Sequence, residues 1–200
     1  MTVPARERRP DLLDTAAAVL TADPTASLAE IAAAAGMGRT TLHRIFPTRE
    51  VLLHALAVHA MERLSAAVEA AEPGTGSAPE VLRRFARAVV PLAAELRFLE
   101  AGPAVWDLPE MRSGWYEVSA TLEEVVDRGK RDGDLRPDVD TVLLVEVMVG
   151  AIWAVGEALR DGRIATEGAG DAVADLVLAG AAVPTTARAR RRRGTDGDTS

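Results

Sequence analysis

The chain has 200 residues, of which 48% are hydrophobic and only 4% are aromatic, and its formal net charge is −7. It contains no cysteine, which excludes disulfides and thiolate metal sites. A composition rich in Ala, Leu and Val with so few aromatics favours helix over sheet, and the length suits one large domain or a small domain joined to a larger one.

Charge is distributed unevenly along the chain. Residues 1–50 hold six basic and six acidic residues, residues 51–182 hold 12 basic and 22 acidic residues, and residues 183–200 hold five arginines and two aspartates. Because an acidic body repels nucleic acid, any DNA contact is expected from the N-terminal part or the basic tail. Acidic residues also interrupt the N-terminal segment and the long apolar run 139–159, so we expect neither a signal peptide nor a membrane span, and we predict a cytoplasmic protein.

The first three predicted helices lie close together in the sequence. An apolar stripe predicts a helix over 11–22, which ends before Pro24. Ser27 and Glu30 form a capping-box pattern that begins a second helix, and Gly36 is expected to end it in a left-handed conformation. A short third helix is predicted over 39–45.

Six further helices complete an all-α fold of about nine helices. They are predicted over 49–71, over 80–98, around Trp106, over 115–131, from Pro137 and Asp138 to about residue 160, and over 169–182. Pro109 and Gly114 indicate an irregular stretch before the helix at 115. The segment 183–200 contains "RARRRR" and is predicted to be a disordered basic tail, either adding phosphate attraction or simply solvated.

The stretch "SLAEIAAAAGMGRTTLHRIF" predicts two crossed helices with different faces. Leu28, Ile31, Ala32 and Ala35 share one face of the second helix, and Leu42, Ile45 and Phe46 share the inner face of the third. Thr40 and Arg44 then point away from the core. Two helices joined by a short glycine turn form a helix-turn-helix, whose second helix enters the major groove of DNA. A solvated connector in a helical protein remains the alternative.

These residues resemble the N-terminal signature of TetR-type transcriptional regulators, from the opening helix through Leu56. The resemblance rests on Ile31-Ala32, Gly36, Thr41-Leu42, Phe46-Pro47 and Arg49. The family usually has Tyr where this chain has His43, a His or Tyr where it has Ile45, and Ser or Thr where it has Gly38. These departures leave open which operator is read.

The resemblance implies a DNA-binding domain over residues 1–48, an effector-binding and dimerisation domain over 49–182, and the tail. Residue by residue, it implies DNA contacts by Ser27, Arg39, Thr40, Thr41, His43, Arg44 and Arg49. Thr40 and Arg44 suit base readout, and the others suit phosphate. For Ser27 helix capping is the alternative role, for Arg49 a surface salt bridge, and for His43 packing.

Family resemblance also favours a homodimer through about 139–159 and 169–182, although a core helix would show the same apolar pattern.

Most large apolar side chains of the second domain cluster in the sequence and predict a pocket for a small-molecule effector. They are Phe85, Phe98, Trp106, Met111, Trp115, Tyr116, Met148 and Trp153. Core filling explains each of them individually. Neighbouring acidic residues, Glu117 among them, are compatible with a cationic ligand or with plain solvation.

The sequence also bears on two other classes of protein, enzymes and helical binding modules. An enzyme is not expected, because no phosphate loop, nucleophile motif or metal signature occurs; His54 and His59 point about 140° apart on one helix. No cofactor is predicted. A helical ligand- or protein-binding module without specific DNA binding is the alternative, and it would lack the steep salt dependence of a DNA complex.

Overall fold

The computed structural model of the protein describes residues 8–95 and 108–181. Within these ranges every element of regular secondary structure is an α-helix, which confirms the all-α prediction. The eight helices are α1 (Arg8–Ala22), α2 (Leu28–Ala34), α3 (Arg39–Ile45), α4 (Arg49–Ala70), α5 (Ala78–Glu95), α6 (Pro109–Arg131), α7 (Thr141–Arg160) and α8 (Ala169–Ala181). The helix predicted around Trp106 and the tail 183–200 lie outside the described residues.

The ends of α2 and α3 follow local capping signals. The Ser27 amide donates to Glu30 Oε2 at 2.7 Å, and the Glu30 amide donates to Ser27 Oγ at 3.3 Å, so the predicted capping box is present. Gly36 ends α2 with φ at +63°, where a side chain would be strained. α3 covers the predicted residues, and Gly38 precedes it as an N-cap without a side chain to accept a capping hydrogen bond.

Helix α6 begins at Pro109, so the prediction of an irregular stretch up to Trp115 is wrong. Pro109 takes the first helical position, where its missing N–H is not needed and its fixed φ suits a helix. Gly114 lies inside α6 because α4 approaches it closely. A Cβ at this position would lie 2.3 Å from Cγ of Met61.

Helix α7 begins at Thr141, so the prediction that Pro137 and Asp138 open it is also wrong. Asp140 caps the helix by accepting a hydrogen bond from the Leu143 amide at 2.9 Å. Other contacts hold the preceding turn. The Arg136 side chain pairs with Asp138 at 2.6 Å, and the Arg136 amide donates to the Ala181 carbonyl at the end of α8. These contacts fix the turn in a non-helical path.

The eight helices share one continuous core. Helix α4 packs against α1 on one side and against α5 and α6 on the other, while α5 also contacts α7 and α8. Buried Leu20, Ile31, Leu42, Leu52 and Leu56 form the N-terminal part of that core. By length and composition alone α4 and α7 match membrane spans, but both pack against several other helices of this fold. The boundary predicted at residues 48 and 49 stays a prediction.

Candidate nucleic-acid interface and effector region

Helix α3 is attached to the protein by one apolar edge. The side chains of Leu42 and Phe46 are at most 1% exposed, and they fix the helix against the core. Ile45 is 37% exposed, so the expectation that it shares the inner face is wrong: α3 meets the core through fewer contacts than its sequence predicts. The outer face carries the five polar residues of the prediction, all of them exposed: Arg39, Thr40, Thr41, His43 and Arg44.

The two arginines of α3 are available to an external partner. Among the residues that the structure describes, neither Arg39 nor Arg44 makes a hydrogen bond or an ion pair within the chain. His43 and Arg44 occupy the last turn of α3, where positive charge interacts favourably with the helix dipole. The arrangement presents guanidinium and hydroxyl donors together on one open surface.

Ser27 and Glu30 already use each other's polar groups. In addition to the two capping hydrogen bonds, Ser27 Oγ donates to Glu30 Oε2 at 2.7 Å. These bonds to the Ser27 amide and hydroxyl lower the pKa of the Glu30 carboxyl. A phosphate contact by Ser27 would have to displace this carboxylate, so the geometry favours the capping role.

Arg49 is half-buried and faces the turn between α1 and α2. Its Nη1 donates to the Ala26 carbonyl and its Nη2 to the Pro24 carbonyl, each at 2.5 Å. Asp23 braces the same turn by accepting bonds from the Thr25 amide and hydroxyl. These bonds from Thr25 lower the pKa of Asp23, and the nearby Arg49 contributes in the same direction. Among the described residues Arg49 binds these carbonyls and forms no salt bridge, and its contact with phosphate stays a prediction.

The predicted effector cluster separates into three groups. Phe85, Met111 and Met148 are buried in the core, and Trp115 and Trp153 are half-buried against it. Tyr116 is 75% exposed and does not join them. Phe98 and Trp106 lie outside the described residues. The structure thus brings five of the eight residues into or against the shared core.

A groove of about 440 Å³ lies between α4 and α6. It is lined by Val58, Met61, Glu62, Ser65, Ala66, Glu69, Glu110, Ser113, Gly114 and Glu117. None of the predicted effector residues lines it, but the acidic residue Glu117 does. The sequence analysis did not single out the other three glutamates. A signal was present, because residues 62 and 69, like residues 110 and 117, are seven positions apart and so lie on one helix face.

The histidines of α4 contact carboxylates rather than each other. His59 Nε2 lies 2.8 Å from Asp14 Oδ1 on α1, and His54 Nε2 lies 3.7 Å from Glu110 Oε1 on α6. Across residues 8–95 and 108–181, no group of three or more His, Asp or Glu side chains is placed to hold a metal ion. These contacts link α4 to α1 and to α6.

Helices α7 and α8 expose apolar residues on their outer faces. Leu143 is 57% exposed, Val147 is 48% exposed and Leu176 is 77% exposed. Only 33% of the most apolar window of α7 is buried, although its mean hydropathy is 2.0. Gly150 and Ala154 extend the same face of α7 with small side chains.

Comparison with known proteins places this arrangement in a family. Residues 12–56 match the family described as bacterial regulatory proteins, tetR family. The HTH-type transcriptional repressor LfrR of Mycolicibacterium smegmatis is 36% identical over 159 residues, which cover 79% of this chain and 82% of LfrR. The chain belongs to the TetR family. It is a transcriptional regulator of the helix-turn-helix type.

Two further comparisons cover more than nine tenths of this chain. The HTH-type transcriptional regulator NfxB of Pseudomonas aeruginosa is 26% identical over 186 residues, 92% of this chain and 98% of NfxB. The crystal structure of LfrR from Mycobacterium smegmatis in complex with proflavine superposes with a TM-score of 0.74 at 33% identity, covering 91% of this chain and 99% of that one. TetR-family regulators bind operator DNA, respond to small-molecule effectors and act as dimers.

Proposed function

We propose that this TetR-family protein is a cytoplasmic, dimeric repressor that binds operator DNA through α3 and is released by a small cationic aromatic effector. The single observation that carries the DNA-binding part is the exposed polar face of α3, whose two arginines have no partner among the described residues. In this proposal Thr40 and Arg44 read base edges, while Arg39, Thr41 and His43 hold phosphates. Ser27 and Arg49 flank this face.

Electrostatics support α3 as the surface that meets DNA. The first 50 residues are neutral overall, whereas residues 51–182 carry an excess of ten negative charges. An acidic body is repelled by the duplex, which favours approaches that lead with the N-terminal helices. The basic tail, outside the described residues, would add attraction that does not depend on sequence.

A two-fold dimer is proposed through the exposed apolar faces of α7 and α8. One recognition helix reads too few base pairs to select a site in a genome, and two-fold pairing doubles the site. The large side chains of Leu143, Val147 and Leu176 are costly to leave in water. The small residues of α7 permit close approach of a second helix.

The effector class is proposed from charge and from a relative. LfrR has been crystallised with proflavine, a planar dye whose ring system is cationic. In this chain four glutamates line the groove between α4 and α6, and half-buried Trp115 offers an aromatic surface on α6. We propose that a cationic aromatic molecule enters between these helices and reaches the cluster that includes Trp115, Met111 and Phe85.

Helix α4 is the proposed link between effector and DNA. It contacts α1 in the N-terminal domain and α6 beside the groove. An effector that fits better when α4 is tilted changes the distance between the two recognition helices. Release is then set by the difference in its affinity for the two states, on the order of 1–3 kcal/mol.

The decisive experiment measures binding of the full chain to a duplex of random sequence as salt is raised. A steep decrease of affinity with salt is expected, because many phosphates are neutralised in the complex. Proflavine is then titrated against a complex with a duplex obtained by in vitro selection, and release is expected. A flat or absent salt response would instead support a binding module without specific DNA affinity.

A further inference from the structure

The turn from residue 23 to residue 26 connects α1 to the first helix of the helix-turn-helix. Within the turn the Ala26 amide donates to the Asp23 carbonyl at 3.0 Å, so the chain is folded back on itself. The next residue is Ser27, the N-cap of α2. Any group that holds this turn therefore sets where α2 begins.

Arg49 holds the turn from the first position of α4. Its two terminal nitrogens each bind one carbonyl oxygen, Pro24 on one side and Ala26 on the other. Such a fork needs the planar guanidinium, because an ammonium group presents a point charge that cannot span two fixed acceptors in the same way. The contact joins residues that are 23 and 25 positions apart in the sequence.

The position of this charge requires a compensating partner. A cation in the first turn of a helix opposes the helix dipole, which is unfavourable. Carbonyl oxygens of the turn offset that cost and satisfy two of the five guanidinium donors. Arg39 and Arg44, by contrast, lie on the outer face of α3 without such acceptors among the described residues.

We infer that Arg49 is a positioning residue, which ties the helix-turn-helix to α4 through the Pro24 and Ala26 carbonyls rather than holding phosphate itself. When α4 tilts, the tether moves the start of α2, and α3 follows because it packs on α2. Arg49 thereby fixes the angle at which the recognition face leaves the body. The inference rests on the proposed DNA binding.

The test compares the full-length wild type with Arg49→Lys and Arg49→Gln. Affinity is measured for a duplex selected by the wild type and for a scrambled duplex of the same composition, each over a range of salt. Thermal stability is recorded in parallel. Arg84→Lys is the matched control, since Arg84 forms an equivalent fork to the Ala71, Glu72 and Thr75 carbonyls, away from α3.

Both Arg49 variants are expected to lose on the order of tenfold in preference for the selected duplex, because lysine cannot rebuild the fork. Their salt dependence on the scrambled duplex should equal that of the wild type. Arg84→Lys should lower the melting temperature without changing the preference. This combination separates positioning from a general loss of stability.

Three results would overturn the inference. If Arg49→Gln lowers the salt slope by about 0.9 for each subunit of the dimer and Arg49→Lys restores it, Arg49 contacts phosphate directly. If both variants lower the melting temperature but keep the wild-type preference, the fork is only structural. Arg39→Gln serves as the reference for direct phosphate contact. If neither the wild type nor Arg39→Gln shows salt-dependent binding, the proposed function itself fails and the inference with it.

Discussion

At the scale of single residues, arginine side chains hold the turns of this protein through backbone carbonyls. Arg84 binds three carbonyls of the turn between α4 and α5, and Arg136 donates to the Gly180 carbonyl at 3.1 Å. The chain has a single lysine, Lys130, so this role falls to guanidinium groups. Arg39 and Arg44 on α3 have neither a carbonyl acceptor nor a carboxylate partner among the described residues, which is why they are proposed to meet DNA.

Arg44 is the residue whose loss is expected to weaken sequence-specific binding most directly. Arg44→Gln should cost about 1–3 kcal/mol for each bidentate base contact removed, measured as affinity for the selected duplex. The melting temperature should change little, because the side chain is exposed and makes no hydrogen bond or ion pair among the described residues. Equal affinities of Arg44→Gln and wild type for this duplex would contradict the base-reading role.

Glu30 gives the helix-turn-helix a specific response to acid. Hydrogen bonds from the Ser27 amide and hydroxyl lower the pKa of Glu30 below its ordinary value of 4.5. Folding therefore favours the ionised form: its contribution to stability is complete above pH 4.5 and is lost as the pH falls through the lowered pKa. Thermal melts at neutral and acid pH should show that Glu30→Gln destabilises at neutral pH and that this difference shrinks in acid.

Glu69→Gln provides the control for this pH dependence. Glu69 is an exposed carboxylate on α4 that makes no hydrogen bond among the described residues. Its replacement should leave the melting temperature close to that of the wild type at either pH. A difference between wild type and Glu30→Gln that stays constant with pH would rule out the capping carboxylate as its cause.

At the scale of helices, the sequence predicts elements whose ends are set by neighbouring residues. The start of α2 follows from the Ser27–Glu30 pair, and its end follows from Gly36, so both were located correctly. The start of α6 was missed, because Gly114 looks like a helix breaker until Met61 of α4 is found packed against it. A contact between distant segments decides that helix, and no local pattern contains it.

The candidate DNA-binding surface also has features that the local sequence predicts and features that only tertiary contacts decide. The outward face of α3 follows from helical periodicity and was predicted as a set, whereas Ile45 was placed inward although it is partly exposed. The carbonyl partners of Arg49 depend on how α4 meets the turn after α1, and the sequence offers no signal for that. Local pattern thus finds the surface, and tertiary packing decides what each flanking side chain touches.

Gly170 marks a close approach of α8 to the backbone of α5. A Cβ at this position would lie 2.6 Å from Cα of Arg87, so α8 could accept alanine only by moving away from α5. Gly170→Ala should therefore destabilise the fold by about 1–3 kcal/mol, as overpacking of a core typically does. The melting temperature should fall by about 2–4 °C for each kcal/mol in a chain of this size.

Gly180→Ala is the matched control in the same helix. An added Cβ there meets no atom within 4 Å. Alanine should be neutral or slightly stabilising, because it has the higher helix propensity. If the two substitutions shift the melting temperature equally, the contact between α5 and α8 is not the cause of the effect at Gly170.

At the scale of the whole molecule, charge and side-chain exposure differ between the N-terminal helices and the rest of the protein. The neutral N-terminal helices expose hydrogen-bond donors, residues 51–182 carry the excess of negative charge, and the outer faces of α7 and α8 expose apolar side chains. Helix α4 spans between these parts, with His59 and Arg63 contacting Asp14 of α1 at 2.8 and 3.5 Å. A tilt of α4 would therefore carry α1 with it.

Dimerisation through α7 and α8 is testable at Leu176, which is 77% exposed in one subunit. Leu176→Arg places a charge at the proposed interface, where burial without a partner is costly, so the variant should sediment as a monomer. Its folded state should persist, because the side chain makes little contact within its own subunit. Affinity for the selected duplex should fall, since the two recognition helices then bind independently.

Tyr116→Arg is the control: Tyr116 is similarly exposed, at 75%, but lies on α6. It should remain a dimer in analytical ultracentrifugation, and a dimeric Leu176→Arg would place the interface on another face of the molecule.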